Sequence, residues 1–162
     1  MRPSKGVIAV NNDEYDILEI ANWFLNKERM SHKKLQKLCY YSVAWGYALL
    51  NRAICKRSEF QAWIHGPASP VIYDKFKGSA WTELNPINEN KKSFDEVTED
   101  LLESVWITYG NQTGNSLEAL SHSELPWLNA RKNCGEDERC SNTIDSKDMK
   151  EFYLSIYIGE EA

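Results

Sequence analysis

The sequence predicts a mainly α protein: a single compact helical domain with at most one short β hairpin or strand pair. Three observations carry that expectation. Apolar residues recur at three- and four-residue spacing along several long stretches, the period of a helix face. The one stretch with partial strand-like alternation, residues 59–64, is short. The chain's 162 residues, 42% hydrophobic and 12% aromatic, suit one domain with a substantial core. The expected division is an N-terminal segment 1–12, a helical domain 13–158 and a C-terminal tail 159–162.

The first helix is expected over 13–27, where Ile17, Ile20, Ala21, Phe24 and Leu25 share a face. Ser31 suits the N-cap of a second. There Leu35, Leu38, Cys39, Ser42, Gly46 and Leu49 form one stripe, and Tyr41, Trp45 and Ala48 form an adjacent one. Two apolar stripes mean burial on more than one side, so this helix is expected at the centre. Residues 59–64 are read as a short strand. In the segment 62–73, Gly66 and Pro67 signal a fixed corner, because glycine reaches positive φ and proline restricts the residue before it. Pro70 then suits the first turn of a short helix carrying Ile72, Tyr73 and Phe76. Residues 78–93, with Asn-Pro and Lys-Lys, read as an exposed loop or loose hairpin.

A further long helix is capped by Ser93 or Asp95, with Val97, Leu101, Val105 and Ile107 or Tyr109 inward and Glu96, Glu99, Asp100 and Glu103 outward. Acidic residues in a first turn complement the helix dipole. A short helix carries Ser116 to Leu120, Ser123 is read as a cap, and Pro126 begins another helix through Arg131, with Trp127 folded onto the core. The last helix starts near Asp145 or Ser146 and turns Met149, Phe152, Tyr153, Ile156 and Tyr157 to one side.

A net charge of −5 argues against a general nucleic-acid binder, which needs a basic surface to displace counterions. No apolar run approaches the ~18 residues of a membrane span, and Val7 to Val10 are too few for a signal-peptide core, so a cytoplasmic location is expected. Cys39 and Cys55 fall in apolar contexts. Cys134 and Cys140 flank an acidic loop at a spacing wider than a zinc knuckle, and all four are read as free thiols.

No catalytic set emerges. His65, beside a turn, is a general base or a polar tip that contacts a partner, and such histidines most often bond backbone. Ser121 and His122 are neighbours on a helix, about 100° apart, and so cannot pair as nucleophile and base. His122 is expected to bond a nearby backbone group. His32, His65 and His122 lack metal-ligand spacing, and no phosphate loop is present, so neither a metal nor a cofactor is expected. Lys33, Lys34 and Lys37 sit in the first turns of a helix, where the dipole disfavours cations by about 0.3–1 kcal/mol each. Either an acidic partner surface or an internal carboxylate compensates them. Tyr40, Tyr41, Trp45 and Tyr47 are mostly core, with one or two at a rim that anchors a partner.

Three ordered blocks resemble a known family. They are Ser31-x-x-Lys34-Leu35-Gln36-Lys37-Leu38-Cys39-Tyr40-Tyr41, then Ala62-Trp63-x-x-Gly66-Pro67-x-x-Pro70-x-x-Tyr73, then Leu117-x-x-Leu120-Ser121-His122-x-Glu124-x-Pro126-Trp127-x-x-Ala130-Arg131. Together they resemble the Panacea domain, the SocA-like or phage-associated protein family, over about residues 15–157. The resemblance implies a mostly helical, non-enzymatic domain of bacteria, prophages and mobile elements. Many members are antitoxins that neutralise a toxin encoded beside them, and one branch hands its toxin to the Clp unfoldase and protease. Cys39 stands where leucine or isoleucine is common and His65 where an aromatic often sits, departures that suit packing better than catalysis.

The expected function is therefore an antitoxin-like domain that binds one protein partner, a cognate toxin or a host protein, with Clp protease as a further partner and with neither nucleic acid nor membrane. The expected contact residues are Lys33, Lys34, Lys37, Tyr41, Trp63, His65 and Tyr73, and the expected scaffold residues are Gly66, Pro67, Pro70, His122, Pro126 and Trp127. The alternatives are a phage or mobile-element inhibitor of a host defence or regulatory protein, and a small hydrolase using His65 or His122.

Overall fold

The computed structural model describes residues 14–79, 82–90 and 92–161. The expected N-terminal segment 1–12 and Asp13 lie outside them. Among the described residues the chain forms seven helices and one two-stranded sheet. In chain order these are α1 (Ile17–Lys27), α2 (His32–Leu50), β1 (Gln61–Trp63), β2 (Gly66–Ala68), α3 (Pro70–Phe76), α4 (Glu96–Tyr109), α5 (Gly114–His122), α6 (Leu125–Ala130) and α7 (Ser146–Glu161). The mainly α expectation with a single hairpin matches this architecture.

Helix α2 is the axis, packed by α1, α4, α5 and α7. Its two apolar stripes account for this position: Leu35, Leu38, Cys39, Tyr41, Val43 and Ala44 are wholly buried. Ser31 caps it, accepting from the Lys34 N–H at 3.1 Å, and Asn51 in the left-handed region ends it. Helix α1 starts at Ile17 because Asp16 takes the cap: its carboxylate accepts from the Leu18 N–H while Glu19 reaches back to the Asp16 N–H.

Asp95, of the two residues expected to cap α4, does so, accepting from the Thr98 backbone and hydroxyl. Of the residues expected inward on α4, Leu101, Val105 and Tyr109 are buried and Val97 is half-buried. Thr98 and Leu102 are buried as well, whereas Ile107 is 77% exposed. Tyr109 takes the inward place because its ring stacks on Tyr41 at 4.0 Å and its hydroxyl accepts from Trp45 Nε1 at 2.9 Å. Ser123 caps the end of α5. It donates to the Leu120 carbonyl, and Glu124 occupies the cap position of α6 with its side chain turned elsewhere. On α7, Met149 and Tyr153 are buried and Phe152, Ile156 and Tyr157 are half-buried against the core.

The hairpin departs from the expected corner. Trp63 pairs with Gly66, so Ile64 and His65 make the turn and Gly66-Pro67 opens the second strand. Both outer edges of this small sheet are occupied. Along β1, the Ala62 N–H donates to the Asn142 carbonyl, and flanking it the Ile144 N–H donates to Phe60. Beyond β2, the Gln36 side chain bonds both the N–H (2.7 Å) and the carbonyl (3.1 Å) of Ser69. Ser69 in turn caps α3, whose first turn holds Pro70 as expected.

Candidate functional site

The hairpin, α3 and the starts of α2 and α5 share one face, and most of the expected contact residues lie here. Lys33, in the first turn of α2, pairs with Glu118 of α5 at 2.6 Å and donates to Asn115 at 2.9 Å. His65 at the hairpin turn reaches the other oxygen of Glu118 at 3.2 Å. Burial pushes the Glu118 carboxyl upward, but the hydrogen bonds from Lys33 and His65 prevail and hold it below its ordinary value. Glu118 is thus the internal carboxylate that answers the cations of α2. Lys34 is answered differently: its ammonium donates to the Gly110 carbonyl at the end of α4, at 2.6 Å, and lies over the Trp106 ring.

Lys37 and Tyr41 are buried, so neither presents surface to a partner as expected. Lys37 is 3% exposed, its ammonium lying beneath the hairpin and donating to the Pro67 carbonyl at 3.3 Å. Burial pushes its pKa down to about 7, opposed by Glu118 and reinforced by Lys33. The same lysine explains the glycine above it. Gly66 has φ +105°, and a Cβ there would sit 2.7 Å from Lys37 Cε and 3.1 Å from Ser121 Oγ. Tyr41 is wholly enclosed and donates to Glu124 at 2.8 Å. Tyr153 donates to the same oxygen at 2.8 Å. Burial raises the Glu124 pKa against the pull of these two phenols.

Two aromatics remain at the surface. Trp63 is half-buried, its ring edge-to-face with Tyr73 at 5.2 Å. Tyr73 is 43% exposed and stacks on His32 at 6.0 Å. Behind them, Trp127 donates from Nε1 to the Trp63 carbonyl at 2.9 Å. His122 stacks on Trp127 at 4.1 Å, and the Ile64 backbone bonds its ring. Burial lowers the His122 pKa against Glu118 and that backbone bond. Pro126 is buried in the first turn of α6. Of the expected scaffold residues, Gly66 and Pro67 lie in the hairpin, Pro70 opens the helix that follows it, and His122 and Trp127 bond its backbone.

Ser121 Oγ donates to the Glu118 carbonyl of its own helix at 3.0 Å. Among the described residues, no group of three or more His, Cys, Asp or Glu side chains is placed to hold a metal ion. No described helix is long and apolar enough to cross a membrane.

Two supporting residues were not singled out by sequence. Arg131 threads its guanidinium between the hairpin and the loop that follows α6, donating to the carbonyls of Ala62 (2.8 Å), Gly135 (3.0 Å), Glu136 (3.3 Å) and Glu138 (2.6 Å). Gln36 ties α2 to the start of α3. Both stand in the motif blocks, which was the available signal, but the atoms through which they brace the hairpin and α3, the Ala62 carbonyl and the Ser69 backbone, are far along the chain.

Fold and site together define a helical scaffold domain that presents one braced β hairpin. Residues 35–128 match the family model described as antitoxin SocA-like, Panacea domain, and the chain belongs to that family. No curated protein and no solved structure matches the chain.

Proposed function

We propose that this protein is an antitoxin that binds a protein toxin through the face formed by Trp63, His65, Tyr73, Lys33 and Lys34. The observation that carries the reading is the Trp63–Tyr73 aromatic pair, with Tyr73 43% exposed and His65 exposed at the hairpin turn. Aromatic side chains held rigid at a surface are efficient interface anchors, since little rotamer freedom is lost on binding. Membership of an antitoxin family supports a binding role over a catalytic one. Neutralisation then proceeds by direct blockade of the toxin or by its delivery to a Clp-type protease, the mode known in one branch of the family.

Co-expression with the toxin candidate encoded beside it tests the reading. Growth rescue and co-purification are expected for the native chain, and loss of both for a Trp63→Ala/Tyr73→Ala variant that retains its helical circular dichroism. Rescue that disappears in a host lacking the protease identifies delivery; rescue that persists there identifies blockade. Full rescue and co-purification by the double variant would remove this face from the interface.

A further inference from the structure

Cys134 and Cys140 bracket the acidic loop after α6, and nothing in the binding role uses them. Their sulfurs are in contact at 2.7 Å. Both thiols are free, Cys140 being buried and Cys134 only half-buried. The loop between them is already closed by bonds other than a disulfide. The Cys134 N–H donates to the Arg131 carbonyl, the Gly135 N–H donates to the Glu138 carboxylate, and Arg131 grips three carbonyls of the same loop. Asn142, beyond the loop, bonds the Ala130 carbonyl and lies 3.6 Å from Cys134 Sγ. The two sulfurs are therefore held together by backbone and side-chain bonds, so joining them demands little reorganisation.

We infer that Cys134 and Cys140 form a reversible intramolecular disulfide, a two-electron modification site for a small neutral hydroperoxide. Cys134, the accessible sulfur, acts first. Its thiolate, the minor form because the hydrogen bond to Cys140 and burial raise the Cys134 pKa, attacks one oxygen of hydrogen peroxide, the O–O bond breaks, and hydroxide leaves to take up a proton as water, giving Cys134 sulfenic acid. Cys140 then gives up its proton and attacks the Cys134 sulfur; the S–O bond breaks and a second water leaves. Two thiols thus lose two electrons and two protons as one peroxide becomes two waters. Burial of Cys140 keeps it from the oxidant yet within reach of Cys134. The acidic run Glu136, Asp137 and Glu138 favours a neutral oxidant over an anionic disulfide. The new bond would close the cradle around Arg131, which holds Ala62 of the hairpin.

Folded protein treated with hydrogen peroxide and digested with trypsin under non-reducing conditions tests this. Trypsin cleaves after Lys132, Arg139 and Lys147, so the disulfide joins peptides 133–139 and 140–147 with the loss of two hydrogen atoms. Separation of this joined species by a dithiol reductant is also expected. In Cys140→Ser, checked for native circular dichroism, the sulfenic acid at Cys134 has no resolving thiol, and labelling by dimedone rises at least several-fold over wild type. Absence of the joined peptides, or equal dimedone labelling of Cys134 in wild type and Cys140→Ser, would overturn the assignment. The wild-type measurement stands even if the variant fails to fold.

Discussion

At Gly66 two demands meet at one residue: a positive φ and the absence of a Cβ over the Lys37 side chain. Gly66→Ala is therefore expected to destabilise the protein by about 2 kcal/mol or more, read as a shift in the urea midpoint; an unchanged midpoint would show that neither the positive φ nor the approach to Lys37 constrains this position. Lys37 has its own signature. Its pKa is about 7 in the folded state against 10.5 ordinarily, so between these values the unfolded chain binds the proton more tightly and stability rises with pH. Glu118, held below its ordinary value, and Lys33 face the ammonium, and His32 and His122, which also sense it, are both shifted downward. The buried thiols Cys39 and Cys55 are pushed above 9.0 and oppose the trend only at higher pH. From pH 7 to 9 we expect a gain of about 1–2 kcal/mol that is absent in Lys37→Met. At pH 7 the Lys37→Met variant should equal or exceed wild type, since an apolar chain of similar length avoids desolvating a charge. A steeper pH dependence in the variant would refute the assignment to Lys37.

Among the elements, the helices were legible and the hairpin was only partly so. Helix faces and caps depend on residues within a few positions of one another, so Ser31, Asp95 and Pro70 could be placed from local pattern alone. The turn could not, because Gly66 and Pro67 read locally as a corner while their real constraint comes from Lys37, distant in sequence. Ile107 was an ambiguous choice with Tyr109 for the same reason, settled only by Tyr41 and Trp45 of another helix. Residue type reports chemistry and not depth, so local pattern puts Tyr41 and Lys37 among the contacts although both are buried. The hairpin's dependence on remote supports gives a further prediction. Arg131→Lys keeps the charge but loses the planar fork that serves four carbonyls, and should cost about 2–3 kcal/mol. Hydrogen exchange at the Ala62 amide should quicken well before exchange in α2, whereas uniform acceleration would show that the hairpin does not open separately.

For the molecule as a whole, the buried polar network of α2, α6 and α7 joins the scaffold at Glu124, which accepts from Tyr41 and Tyr153. Glu124→Ala leaves buried phenols short of an acceptor and is expected to lower stability by about 2–4 kcal/mol, seen as a lower thermal midpoint. The exposed pair His65 and Tyr73 should behave in the opposite manner. His65→Ala/Tyr73→Ala is expected to leave the thermal midpoint within a few degrees of wild type and to weaken toxin binding at least tenfold by calorimetry. A midpoint that falls as far as in Glu124→Ala would mark these residues as scaffold.

The occupied edges of the sheet set a limit on how a partner can be held. An incoming strand needs a row of free backbone donors and acceptors to add to a sheet. Here Ala62 has spent its N–H on Asn142 and its carbonyl on Arg131, and Trp63 has given its carbonyl to Trp127. On the other strand, Pro67 has no N–H and its carbonyl goes to Lys37. The hairpin is thus closed to strand addition. A partner held at the proposed face would then be read through side chains at the hairpin tip and on α3, where substitutions could retune specificity without rewiring the backbone that supports them.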